Sequence, residues 1–188
     1  TYDDQPPQVT GVSLTSNNAN SPRLAKTGDN LTLNFSINET LSSTSTVSVS
    51  GTTLVPSSGN NFSSSYTLKD NDTEGTVALS ITAVDLSGNE KKITATTDNT
   101  SVVFDRTVPT LSTVNFGSSN CNAGAAKVGD NGTLSVTASE PLLDSSVSVS
   151  IHNVNKTVSF SGTTGALSSH QQFTAVHVFS SSDNADSD

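Results

Sequence analysis

The chain has one cysteine, no methionine and no tryptophan, and only 8 lysines and arginines against 17 acidic residues. Each scarcity excludes something. A lone Cys121 cannot staple two small domains, so the fold does not rest on disulfides; the thiol is read as free or as a bond to another subunit. A net charge of −9 with so few cations excludes the basic patches that nucleic acid and anionic membranes need. The longest apolar run is three residues (Val102-Val103-Phe104), so no segment is expected to insert in a bilayer. No signal-peptide pattern is visible, and a start at Thr1 reads as a processed product or a fragment.

Ser and Thr fill the gap, at about a third of the residues, while hydrophobic residues are 31%. The apolar residues alternate with polar ones, which is the pattern of half-buried strands rather than of a disordered chain. The expectation is thin cores under wide polar surfaces.

One stretch occurs twice. Ala25-Lys26-Thr27-Gly28-Asp29-Asn30-Leu31-Thr32-Leu33 continues to Glu39, and Ala126-Lys127-Val128-Gly129-Asp130-Asn131-Gly132-Thr133-Leu134 continues to Glu140. The copies share 8 of 15 positions at an offset of 101 residues. A repeat of that length is one small β domain, and roughly 100 residues suffice to fold alone. Residues 1–7 read as a linker or end strand, 8–108 as domain 1 and 109–188 as domain 2.

Strands in domain 1 are expected at Val9–Leu14, Asn30–Asn38, Val47–Ser50, Thr52–Val55, Phe62–Leu68, Thr76–Val84, Ile93–Thr97 and Val102–Asp105. The second is the clearest: Leu31, Leu33, Phe35 and Ile37 share one face, and Asn30, Thr32, Asn34, Ser36 and Asn38 share the other. A one-residue slip would expose four large side chains at about 1.5–3 kcal/mol each. In domain 2, strands are expected at Thr113–Phe116, Thr133–Ser139, Val147–Ile151, Thr157–Phe160 and Phe173–Phe179. The counterparts of Thr76–Val84 and Val102–Asp105 are missing from 109–188, which leaves unpaired edges. A following segment or a strand from a neighbouring molecule is expected to close the domain. Tyr2-Asp3-Asp4-Gln5-Pro6-Pro7 matches Phe104-Asp105-Arg106-Thr107-Val108-Pro109 at the joint, as if one unit's start were another unit's end.

Lys-x-Gly-Asp-x-x-Thr-Leu before the second strand, Ser-Glu-Pro at 139–141, Val84-Asp85-Leu86-Ser87-Gly88-Asn89, and Asp105-Arg106-Thr107-Val108-Pro109 together resemble tandem immunoglobulin-like repeats of large, mostly bacterial, surface proteins. The resemblance implies two tandem immunoglobulin-like β-sandwich domains, the second incomplete, in a secreted spacer, stalk or fibre. Domain 2 departs from the pattern by lacking the Asp-x-x-Gly-Asn segment.

Eight Asn-x-Ser/Thr sequons are present, at Asn30, Asn34, Asn38, Asn61, Asn71, Asn99, Asn131 and Asn155. Chance alone gives roughly six in so Ser/Thr-rich a chain, so placement carries more weight than number. They are read either as N-glycan acceptors or as polar strand surface; the Ser/Thr loops also suit O-glycans. Asp70-Asn71-Asp72-Thr73-Glu74-Gly75 has the alternating carboxylates of a calcium loop, but an EF-hand would need Glu where Ile81 stands. Asp70, Asp72 and Glu74 are therefore read as a solvated turn or a calcium site, with Asp105 a further candidate at the joint. Asp183, Asp186 and Asp188 read as a solvated acidic segment. His152, His170 and His177 lack metal-ligand spacing, and no nucleophile elbow, His-Glu-x-x-His or phosphate loop exists, so no enzyme is expected. The expected function is that of an extracellular structural glycoprotein, a repeating unit of a filament or stalk whose partners are its own copies or adjacent repeats. The alternative is an adhesin or receptor fragment that binds glycan or protein through its loops.

Overall fold

The computed structural model describes residues 2–55, 59–122, 124–164 and 167–183, without the side chains of 163 and 164. The chain divides into two compact units, Thr1–Thr107 and Val108–Asp188. Both are all-β. Among the described residues the only helical pieces are single 3-10 turns at Asp144–Ser146 and Ser181–Asp183.

In unit 1 the alternation of the repeated motif dictates the central strand. Strand β1 is Val9–Ser16, β2 is Leu24–Ala25 and β3 is Asn30–Ile37. Then follow β4 (Thr46–Val49), β5 (Thr52–Leu54), β6 (Asn61–Thr67), β7 (Gly75–Thr76), β8 (Leu79–Val84), β9 (Glu90–Ile93) and β10 (Val103–Phe104). They form three small sheets, ordered β1-β3-β6, β5-β4-β8-β9 and β2-β10-β7. Leu31, Leu33, Phe35 and Ile37 are all buried, in register with Leu14 on β1 and with Phe62 and Tyr66 on β6. Phe35 and Phe62 stack at 4.9 Å. Val47, Val49, Leu79, Ile81 and Ala83 from the second sheet complete the same core. The packing of apolar faces from separate sheets is consistent with a β-sandwich.

The strand expected over 76–84 is interrupted. Gly75–Thr76 pairs with β10, whereas Leu79–Val84 pairs with β4 and β9. The chain changes sheets at Val77 and Ala78, so a continuous apolar alternation spans a sheet corner. The strand expected over 93–97 lies earlier, at Glu90–Ile93, because the Asp85–Asn89 turn delivers it opposite β8. Thr97 instead donates its backbone N–H to Val12 O at 2.8 Å. Residues 2–7 contain no strand, although Pro7 is buried.

Unit 2 contains β11 (Leu111–Ser118), β12 (Asn131–Leu143), β13 (Val149–Ile151), β14 (Val154–Lys156), β15 (Val158–Thr164) and β16 (Ser169–Val178). One sheet runs β11-β12-β16-β15, and β13 and β14 form a hairpin. Its turn, His152-Asn153, has φ of 54° and 58°, matching Ser50 at 52° and Gly51 at 74° between β4 and β5. Positive φ at both central residues is the geometry that joins twisted strands in two residues. Among the described residues no strand follows β16, and 184–188, with Asp186 and Asp188, lie outside them. The core is correspondingly small: Val136, Val149, Phe173 and Ala175.

Gly132 stands where unit 1 has Leu31. A Cβ there would come within 2.6 Å of Phe116 Cζ and 3.0 Å of Phe179 Cε2. The two phenyl rings occupy the space that a side chain at 132 would need. Gly132→Ala is therefore expected to destabilise unit 2 by about 1–3 kcal/mol through overpacking, read as a lower urea midpoint for its unfolding. An unchanged midpoint would show that the rings are free to move aside.

Candidate functional site

Two features of the strands have functional reach: an outer face that carries sequon asparagines, and a set of carboxylates that fix the turns. All eight sequon asparagines are exposed. Asn30, Asn34 and Asn38 follow one face of β3 and its end, and Asn61 adjoins them on β6, opposite Ser36. Residues four apart on one strand face are about 14 Å apart, enough for separate glycan chains. Their neighbours on that face, Ser13, Thr15, Thr32, Ser63 and Ser65, are uncharged. The carbonyl oxygens of Asn30 and Asn38 accept hydrogen bonds from Thr67 Oγ1 (2.6 Å) and Gln8 N (2.9 Å). These bonds orient the amides through Oδ1, not through the nitrogen that an N-glycan would use. Asn71, Asn99, Asn131 and Asn155 lie at turns or on strands; Asn99 has φ of 57°, as a tight turn requires.

The suspected calcium loop is built differently from a cation cage. Asp72 is buried and accepts from Tyr66 Oη at 2.8 Å, Lys69 N at 2.7 Å and Ser50 Oγ at 3.1 Å. Burial alone would raise its pKa; the bonds from Lys69 N, Tyr66 and Ser50 outweigh it and hold the carboxyl below its ordinary value. Asp70 faces solvent. Glu74 Oε1 accepts from Arg106 N and Thr107 Oγ1, both at 2.9 Å, and Asp105 Oδ1 accepts from Thr107 N. Glu74 and Asp105 thus share Thr107 as a partner, Asp72 is held by Tyr66, Lys69 and Ser50, and the four carboxylates do not converge on one common point.

A different group does converge. One carboxylate oxygen each from Asp3, Glu39 and Asp85 lies within 4.8 Å of the others. Oxygens at that spacing suit a hard divalent cation. Asp85 is buried, and Asn89 donates to both its oxygens at 2.8 Å, with Asn89 Nδ2 also reaching Asp3 O at 3.1 Å. Desolvation, then the charges of Asp85 and Asp3, raise the Glu39 pKa. Sequence reading missed this trio because its members stand 36 and 46 residues apart (39 − 3 and 85 − 39).

Unit 2 repeats the Asp72 device with other side chains. Asp183 Oδ2 accepts from Ser180 N at 2.6 Å and lies 3.1 Å from His177 Nε2. His177 is buried in the place of Tyr66, and His152 lies parallel to it at 6.0 Å, in the place of Ser50. His170 Nδ1 meets Asp144 at 2.9 Å. His170 and His177 are partners of carboxylates, His152 makes ring contacts with His177 and Phe179, and the three do not gather in one cluster. Cys121 is exposed and free, with Sγ 3.5 Å from Asn120 Oδ1. Among the described residues no helix is long and apolar enough to cross a membrane.

Asp72 and Glu39 give opposite pH responses in unit 1. Asp72 has a lowered pKa, so its stabilisation is full above the ordinary value of 3.8 and is lost as pH falls through the lowered one. Glu39 has a raised pKa, so its contribution is full below the ordinary value of 4.5 and is lost as pH rises through the raised one. Asp72→Asn is expected to lower stability at pH 7 by about 1–3 kcal/mol, and by less at pH 3. Glu39→Gln should raise the melting temperature at pH 7 and leave it unchanged near pH 3. Thermal melts across that range check both signs; a Glu39→Gln melt below the parent at pH 7 would contradict the repulsion among the three carboxylates.

No family model, curated protein or solved structure matches the chain.

Proposed function

We propose that the chain is an extracellular structural glycoprotein: two immunoglobulin-like β-sandwich domains that form a repeating unit of a filament or stalk and join neighbouring units by strand addition. One observation carries this reading. Along β11, unit 2 leaves exposed part of the apolar sheet face that unit 1 covers. On that face Val114 and Phe116 lie opposite Val136 and Leu134, and they are 61% and 48% exposed. Their counterparts in unit 1, Val12 and Leu14, are 0% and 1% exposed. Leaving such side chains in water costs about 1.5–3 kcal/mol each, which favours a covering partner.

Glycosylation is supported by the exposure of all eight acceptors and by their uncharged Ser/Thr surroundings. A binding role as an adhesin would call for aromatic side chains on strand-connecting loops. The exposed tyrosine and phenylalanine side chains among the described residues, Tyr2 and Phe116, lie elsewhere.

Native material should form particles far heavier than 19.3 kDa plus glycan. Mass measurement before and after full denaturation separates the cases. A fall to single subunits indicates non-covalent assembly, a large mass that persists indicates a covalent array, and a native monomer contradicts the reading. Enzymatic removal of N-glycans should lower the subunit mass, with deamidation at Asn30, Asn34 and Asn38 in peptide maps; no mass change removes the N-glycan part.

A further inference from the structure

We propose that His152, His177 and Asp183 of unit 2 hold a divalent transition-metal ion of the zinc type. The ion joins the β13–β14 turn, β16 and the turn at 180–183, a task that hydrogen bonds alone perform in unit 1. The site stands whether or not the chain assembles.

The internal repeat places the three side chains. Gly28 N donates to Leu68 O at 2.9 Å, and Gly129 N to Phe179 O at 2.8 Å. Leu68 N donates to Asp29 O at 3.0 Å, and Phe179 N to Asp130 O at 2.9 Å. Leu68 therefore corresponds to Phe179 and, two residues earlier, Tyr66 to His177. Asp72 corresponds to Asp183, because Lys69 N and Ser180 N each donate to the carboxylate three residues on, at 2.7 and 2.6 Å. Ser50 and His152 each open a two-residue turn, with φ of 52° and 54°. In unit 1 the three equivalents meet: Tyr66 Oη and Ser50 Oγ donate to Asp72 at 2.8 and 3.1 Å. The hydrogen-bond partners of that carboxylate, Ser50, Tyr66 and Lys69, all precede it in the chain, so the triad draws on none of β7–β10.

Unit 2 exchanges both hydroxyl donors for imidazoles and leaves one carboxylate oxygen over. Asp183 Oδ2 meets Ser180 N at 2.6 Å, Ser180 Oγ at 3.0 Å and His177 Nε2 at 3.1 Å. Oδ1, the oxygen that takes Ser50 in unit 1, accepts no hydrogen bond among the described residues. His152 makes only ring contacts, parallel to His177 at 6.0 Å and edge-on to Phe179 at 6.5 Å. Two imidazoles and a carboxylate are the donor set of a zinc-type site with water as fourth ligand. The separation of His177 Nε2 and Asp183 Oδ2 is close to the roughly 3.3 Å between two ligands of one tetrahedral ion. His152 is the arm that moves. The ligand atoms of the three do not all lie within 4.8 Å of one another, but the His152 side chain is exposed and turns between rotamers. Ser50 shows that a side chain on this turn reaches the carboxylate. His152, Phe179, Ser180 and Asp183 line an open cavity of about 580 Å³, which has room for the ion and its water. Lys127 lines the same cavity, and its charge opposes the ion. Asp183 Oδ2 only accepts, so neutral His177 carries its hydrogen on Nε2. Binding moves that hydrogen to Nδ1, which is buried with no partner among the described residues. The site is therefore expected to be about 10–100-fold weaker than one whose second nitrogen is hydrogen-bonded.

The test titrates Zn²⁺ into the full chain and into its Cys121→Ser form, which lacks the exposed thiol as a competing ligand. One ion should bind saturably in both. The imidazole NMR signals of His152 and His177 should shift, and those of His170, bonded to Asp144, should stay. His152→Ser restores the residue of unit 1 at an exposed position, so unchanged circular dichroism is expected, with binding weakened at least about tenfold. Lys127→Gln should tighten binding, and Glu39→Gln should leave it as it is. Ca²⁺, which prefers oxygen ligands, should not compete. No saturable binding below about 1 mM overturns the site. Equal affinity in His152→Ser, loss of binding in Glu39→Gln, or shifts confined to His170 overturns it as well.

Discussion

One carboxylate in each unit, buried at Asp29 and half-buried at Asp130, fixes where the central strand begins, and the register of everything else follows from it. Asp29 Oδ2 accepts from Lys26 N at 2.9 Å and from Asn18 Nδ2 at 2.7 Å. Asp130 Oδ2 accepts from Lys127 N and Asn120 Nδ2, both at 2.8 Å. The glycine before each Asp has φ near +90° (88° and 91°), which lets the turn close without strain. Together they tie the loop after the first strand, the turn, and the end of β6 or β16 to the start of β3 or β12. The repeated lysine contributes mainly its backbone. Lys26 Nζ is 3.4 Å from Asp29, but the Lys26 side chain is 71% exposed, so that ion pair adds little.

What was legible in the sequence is what depends on short-range pattern. The alternation of Leu31, Leu33, Phe35 and Ile37 places the strand and its buried face, because only one register buries all four. Asn30, Asn34 and Asn38 were legible as outward-facing for the same reason. Alternation does not show that a strand changes sheets, so the break between Gly75–Thr76 and Leu79–Val84 stayed hidden. Nor did local pattern separate a calcium loop from a hydrogen-bonded turn around Asp72. The deciding groups, Tyr66 on β6 and Ser50 in the turn between β4 and β5, lie outside the Asp70–Gly75 segment. The Asp3, Glu39 and Asp85 trio was invisible for that reason too.

The two units solve one packing problem with different side chains. Leu14, Leu31 and Leu68 in unit 1 become Phe116, Gly132 and Phe179 in unit 2. Two positions grow, and the one between them shrinks to hydrogen. Cores tolerate such exchanges when total volume is kept. The Tyr66 and Asp72 pair likewise becomes His177 and Asp183, with the backbone bond to the carboxylate retained. Retention of the hydrogen-bonded frame, against replacement of the packing, shows that the two units share the arrangement around their central strands.

That sameness sharpens the difference in exposure. Unit 1 buries Val12, Leu14, Ala25, Leu68 and Phe104 together; unit 2 keeps the frame around the equivalent positions and leaves their apolar face in water. The opposite face of its sheet carries Asn115, Ser135, Thr174 and Ser159 in register, with Asn131 and Thr133 further along it opposite the exposed Val178 and Val176. That face is thus uncharged and mixes polar side chains with exposed valines, and the other is largely apolar. Glycans at Asn131 would bar association through the first face without touching the second. On the proposed reading, a neighbouring strand adds where the apolar face is exposed, along β11 at Val114 and Phe116.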